Sequence, residues 1–119
     1  MQGLRTTIYF VNDIKEATKW YSNLLETKPY FEEECYVGFN IGGYELGLSP
    51  QADDYEKKAS VIAYWGVEDM NVNFAKIEKS GAKVNEEIMD VGEGILMASF
   101  FDPWGNIFGI IYNPHFKLN

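Results

Sequence analysis

Apolar and polar positions along the chain follow two grammars, and each grammar occurs twice. From Tyr9 to Leu25, "YFVNDIKEATKWYSNLL" begins as a strand end and passes through Asp13. It then places Ile14, Ala17, Trp20, Tyr21, Leu24 and Leu25 at helical spacing. From Tyr64 to Ala82, "YWGVEDMNVNFAKIEKSGA" does the same more sparsely, with Met70, Phe74 and Ile77 on the apolar stripe. Val11-Asn12-Asp13-Ile14 matches Val67-Glu68-Asp69-Met70. Asp13 and Asp69 stand where N-caps belong, because a carboxylate there accepts from orphan first-turn amides. Glu16, three residues after Asp13, gives the spacing of a capping box. Gly81 is placed to end the second helix, and Pro29 lies beyond the first, which it cannot continue.

Strand-like runs follow each helix. "CYVGFNI" and "YELGLS" flank Gly42-Gly43, a hairpin signal. "LMASFF" and "NIFGIIY" flank Asp102-Pro103-Trp104-Gly105, whose residue types suit a type I turn. Gly43 with Gly105, Gly47 with Gly109, and Phe39 with Phe101 stand at one common offset. Each half therefore reads strand, helix, strand, strand, strand. The polar stretch Ser49 to Ser60 joins the halves, with a boundary near Asp54: a first module over 1–53 and a second over 54–119, within one domain of 119 residues.

Composition narrows the function classes. The chain is 46% hydrophobic and 16% aromatic, enough for a packed core and against disorder. No apolar run reaches the roughly 18 residues of a membrane span, and no basic-then-apolar leader opens the chain, so a cytoplasmic location is expected. Cys35 is the only cysteine, which fits a reducing compartment, and is read as a buried thiol at the start of a strand. His115 is the only histidine, read as a surface or interface residue, so multi-histidine sites within one chain are excluded. A net charge of −8 argues against nucleic-acid partners and leaves either plain solubility or a preference for neutral or cationic ligands.

The repeat, Val11-Asn12-Asp13 with Trp20-Tyr21 and Leu24-Leu25, Val67-Glu68-Asp69, and the closing Asp102-Pro103-Trp104-Gly105-Asn106 together resemble the vicinal oxygen chelate superfamily. That group includes glyoxalase I, extradiol dioxygenases, and fosfomycin- and bleomycin-resistance proteins. The resemblance implies an α+β fold: two βαβββ modules whose curled mixed sheets form a cup. In metalloenzyme members, four cup positions on the first and last strand of each module bind a metal. The corresponding positions here are Thr6, Gly47, Ile62 and Gly109, none of which carries an imidazole, thiolate or carboxylate. No metal and no cofactor are therefore expected.

Strand alternation then predicts the facing. Thr6, Ile8 and Phe10, Ile62 and Tyr64, and Ile107, Gly109 and Ile111 face the cup. Thr7, Tyr9, Val11, Ala63, Trp65, Phe108 and Ile110 pack under the helices. Gly47 and Gly109 either widen the floor of the cup or mark bulges and curvature. Glu45 shares the facing of Gly47 and is either an inward acid and cation partner or an exposed edge-strand charge. Thr6, Ile8, Phe10, Glu45, Gly47, Ile62, Tyr64, Trp104, Gly109 and Ile111 are the candidate ligand contacts. The resemblance implies a metal-free protein of the bleomycin-resistance type that sequesters a small hydrophobic or aromatic molecule, neutral or cationic, as a homodimer. The alternatives are a glyoxalase-like lyase or dioxygenase-type metalloenzyme with an unconventional site, and a structural or regulatory domain whose cup is filled by its own side chains.

Overall fold

The structure is a computed structural model that describes residues 2, 4–52, 57 and 61–116. The chain divides into two compact units, Met1–Glu56 and Lys57–Asn119. The expected boundary at Asp54 lies outside the described residues.

The first unit runs β1 (Thr6–Val11), α1 (Ile14–Leu25), β2 (Phe31–Glu32), β3 (Val37–Ile41) and β4 (Tyr44–Pro50). Its mixed sheet has the order β1-β4-β3-β2, with β1 parallel to β4 and the other pairs antiparallel. The second unit repeats the plan: β5 (Ala63–Gly66), α2 (Met70–Lys79), β6 (Lys83–Asp90), β7 (Leu96–Phe101) and β8 (Ile107–Tyr112). Its order is β5-β8-β7-β6, and again only the first strand pairs in parallel. This is the α+β fold expected from the repeat, and each sheet stays open, with edge strands on both sides. β4 extends through Ser49 and Pro50, so the polar linker begins later than expected.

Both helices start as the sequence dictates. Asp13 Oδ1 accepts from the Glu16 amide at 3.1 Å, and Asp69 Oδ1 from the Val72 amide at 3.0 Å. Glu16 turns its carboxylate toward Lys19, 4.0 Å away. The first helix ends on Glu26 in the left-handed region, with the Thr27 amide bonded back to the Ser22 carbonyl. Gly81, at φ 104°, ends the second helix, as its position implied.

Each helix covers one face of its own sheet. In the first unit Tyr9, Val11, Phe39, Leu46 and Leu48 are buried with Ala17 and Tyr21. The Tyr9 and Tyr21 rings lie 5.8 Å apart. In the second, Phe100, Phe108, Ile110 and Ala98 are buried with Met70 and Ile77, and Phe74 packs on Phe100 at 5.0 Å. Among the described residues no helix is long and apolar enough to cross a membrane.

The repeat needs one correction of register. Phe39 lies opposite Leu46, and Phe100, not Phe101, lies opposite Phe108. Ile41 pairs with Tyr44 around two residues, while the Asp102 amide bonds the Asn106 carbonyl around three, so the matching offset changes by one across the turn. Phe39 and Phe100 are the equivalent core residues, while Phe101 pairs with Ile107 on the other face.

The five-residue turn is built by Asp102. Its Oδ1 accepts from the Trp104 and Asn106 amides at 2.9 and 2.7 Å, and its Oδ2 from the Asn106 side chain at 2.8 Å. The Gly105 amide closes the turn on the Asp102 carbonyl at 3.1 Å. Lys57 Nζ reaches Asn106 Oδ1 at 2.6 Å; burial lowers its pKa, against the opposing pull of the Asp102 charge.

Candidate functional site

The face of each sheet away from its helix carries the polar chemistry. In the first module one row across the sheet holds Asn40, Glu45 and Thr6, and the next holds Phe31, Gly38, Gly47 and Ile8. Ile8 and Phe10 are 44% and 49% exposed there, on the face the alternation predicted. Glu45 is half-buried in β4, between β1 and β3, so it is not an exposed edge-strand charge.

Three hydroxyls converge on the Glu45 carboxylate. Thr6 donates to Oε1 at 3.3 Å, while Tyr30 and Tyr36 donate to Oε2 at 3.0 and 2.9 Å. A carboxylate offers about four acceptor positions, so three are taken. The loss of solvent first, then the bond to Glu45 and its charge, push the Tyr36 phenol up to about 12. The Tyr30 phenol is also raised, first by its bond to Glu45.

Glycine makes this cluster possible. A Cβ on Gly38 would lie 2.7 Å from Glu45 Oε2, and one on Gly47 would overlap the Tyr36 hydroxyl, with Tyr36 Cζ at 2.7 Å. In the second module a Cβ on Gly109 would overlap the Tyr64 ring and sit 2.9 Å from the Ala98 carbonyl oxygen. Close approach is therefore the reason for both glycines. The expectation that they widen a floor fails, because a tyrosine occupies the space above each.

The ten expected contacts divide between the modules. Thr6, Ile8, Phe10, Glu45 and Gly47 share the open face of the first sheet. Tyr64, Gly109 and Ile111 share that of the second, where Tyr64 pairs with Gly109. Ile62 precedes β5 instead of lying in it, and Trp104 sits half-buried in the Asp102 turn, off the strand face. Tyr30 and Tyr36 escaped the sequence reading. Tyr30 lies before β2, and Tyr36 precedes β3, which begins at Val37 and not at Cys35 as the apolar run suggested; the signal was Gly38 opposite Gly47, which leaves room for rings.

One further reading is corrected. Cys35 is exposed in the bend between β2 and β3, since the strand begins only at Val37. His115 is exposed, as expected, and its Nε2 lies 2.9 Å from the Glu93 carbonyl oxygen.

The metal positions do not fit a divalent ion. Thr6, Gly47, Ile62 and Gly109 offer no ligand set, and among the described residues no three His, Cys, Asp or Glu side chains form a group able to hold one.

The fold is shared with solved proteins. A glyoxalase-related enzyme from Fulvimarina pelagi superposes with a TM-score of 0.81 at 15% identity, covering 100% of this chain and 94% of that one. The genomically encoded fosfomycin resistance protein FosX from Listeria monocytogenes gives 0.80 at 14% identity, covering 97% and 96%. A glyoxalase/bleomycin resistance protein/dioxygenase family enzyme from Burkholderia phytofirmans gives 0.78 at 13%, covering 90% and 95%. These likenesses define a glyoxalase-like fold. Residues 3–110 also match the model of the Glyoxalase/Bleomycin resistance protein/Dioxygenase superfamily, and the chain belongs to that superfamily. No curated protein sequence matches it.

Proposed function

We propose that this protein binds and sequesters a small aromatic or apolar molecule carrying a positive charge, without a metal, in the manner of the bleomycin-resistance branch of its superfamily. One observation carries the reading: the Glu45 carboxylate, held by Thr6, Tyr30 and Tyr36, stands beside the exposed Ile8 and Phe10 on an open sheet face. An apolar floor with one oriented anion suits a ligand that pairs a ring with an ammonium group. The fourth acceptor position of Glu45 is where that ammonium donates. The acidic chain adds a field of the right sign. A cytoplasmic setting agrees with a free, exposed Cys35 thiol.

A second reading has its own support. Tyr36 over Gly47 and Tyr64 over Gly109 occupy space at the two glycine positions, as in a regulatory domain filled by its own side chains. Titration separates the two readings. Benzylammonium and neutral benzyl alcohol are followed by NMR on the Phe10 and Tyr30 rings. Sequestration predicts saturable shifts with benzylammonium that weaken in Glu45→Gln. A wider screen of aromatic amines yielding nothing tighter than millimolar would favour the filled domain.

A further inference from the structure

The second module carries a cavity of about 120 Å³ on its open face, lined by none of the Glu45 cluster. Two rows of side chains frame it. One row crosses all four strands: Glu86 on β6, Ser99 on β7, Gly109 on β8 and Tyr64 on β5. The next holds Met89, Met97 and Ile111. Tyr64, Glu86, Glu87, Met89 and Met97 line the space.

The polar wall is fixed. Ser99 is fully buried; it donates to Glu86 Oε1 at 3.2 Å and accepts from Asn85 Nδ2 at 3.0 Å. The carboxylate is thereby oriented at the cavity rather than left to wander. Register shifts between Val84 and Glu86 and between Glu86 and Met89 let Glu86, Glu87 and Met89 all reach the space, which strict alternation would forbid. The floor is soft. Gly109 has no Cβ, so the Tyr64 ring leans across β8, and two thioethers complete the apolar lining.

We infer that this cavity is a second binding site, for the methylated ammonium head of a small organic cation. An anion would meet two carboxylates. A hard metal ion prefers a shell of about six oxygen ligands, and beyond the two carboxylates the lining offers it only thioethers, a ring and aliphatic groups. A methylated ammonium offers methyl groups to Met89, Met97 and Tyr64 and a diffuse charge to Glu86 and Glu87. The volume holds one compact head group, so the remainder of the ligand projects into solvent over the exposed Met89 and Val91.

The test uses the full chain with ¹³C-labelled methionine methyl groups. Choline is titrated against its neutral carbon isostere 3,3-dimethylbutan-1-ol. Saturable shifts of the Met89 and Met97 methyls are expected, with the isostere about tenfold weaker. The Glu86→Gln/Glu87→Gln double variant should lose a comparable factor. Both residues are exposed, and an amide oxygen at position 86 can still accept from Ser99, so this variant should fold. No saturable shift, equal affinity for the isostere, or undiminished choline binding by the double variant would each overturn the inference. The methionine read-out is local to the second module, so its outcome is independent of whether the Glu45 face binds its own ligand.

Discussion

At the residue scale, Tyr36 reports on the first-module cluster through its own proton. Its folded pKa is raised to about 12, above an ordinary 10.0. A raised folded pKa means that the folded state holds the proton more tightly than the unfolded chain. The stability this gives is fully present below pH 10.0 and is lost as pH rises through about 12. Chemical denaturation across that window should show stability falling. An ultraviolet titration of tyrosinate should show a late phase that Tyr36→Phe removes. In Glu45→Gln the charge disappears and a weaker neutral amide oxygen replaces the carboxylate as acceptor while the desolvation remains, so the late phase should move down without returning to the ordinary value. A late phase unaffected by Glu45→Gln would show that the carboxylate does not act on Tyr36. Gly47→Ala attacks the same cluster sterically, because its methyl overlaps the Tyr36 hydroxyl. The expected cost is about 1–3 kcal/mol with loss of the Tyr36–Glu45 bond; an unchanged denaturation midpoint would refute close packing there.

At the element scale, the Asp102 turn should outweigh the helix caps. Asp13→Ala removes one amide acceptor from an exposed helix start, worth about 1 kcal/mol. Asp102→Ala removes acceptors from two part-buried amides and from Asn106, at about 1–3 kcal/mol for each donor left unpaired. Urea midpoints for the two variants should differ clearly, with Asp102→Ala lower; equal midpoints would mean that water replaces the carboxylate in the turn. Both features were legible in the sequence, because caps and turns are local and their chemistry lies in adjacent residues. The helices were legible for the same reason, and so was the facing of β1 from Ile8 to Val11, where exposed and buried residues alternate. The Phe39–Phe101 match failed because a turn of different length shifts one strand against its copy, which an offset along the chain does not register. Cys35 and Tyr36 were read into a strand that begins only at Val37, and Tyr30 lies just before β2, so period-2 reasoning had no hold on any of them. The second cavity was hidden for a related cause: the irregular pairing of β6 puts Glu86, Glu87 and Met89 on one side, a result no alternation pattern predicts.

At the scale of the whole molecule, charge and the absence of a ligand set act together. Nothing at Thr6, Gly47, Ile62 and Gly109 can hold a divalent ion, so Mn²⁺, Ni²⁺, Zn²⁺ or Fe²⁺ added to EDTA-treated protein should leave the thermal midpoint where it was. A site filled at a hundred times its dissociation constant would add about 2.7 kcal/mol, a shift of several degrees that a melt resolves easily. A saturable rise with any of these metals would overturn the assignment of those positions. Organic cations should behave differently, because the chain carries a net charge of −8. At low ionic strength the field of all those charges adds to the local pull of Glu45, or of Glu86 and Glu87. At about 0.15 M salt the screening length shrinks to about 8 Å, and only the nearby carboxylates still act. Affinity for benzylammonium and for choline should therefore fall with added salt and then level off at a residual set by the oriented carboxylates. Neutral benzyl alcohol, held by apolar contact alone, should show no such fall. A cation affinity that sinks with salt to that of its neutral partner would mean the acidic surface alone attracts it. A plateau that survives high salt and disappears in the glutamine variants would assign binding to Glu45, Glu86 and Glu87 themselves.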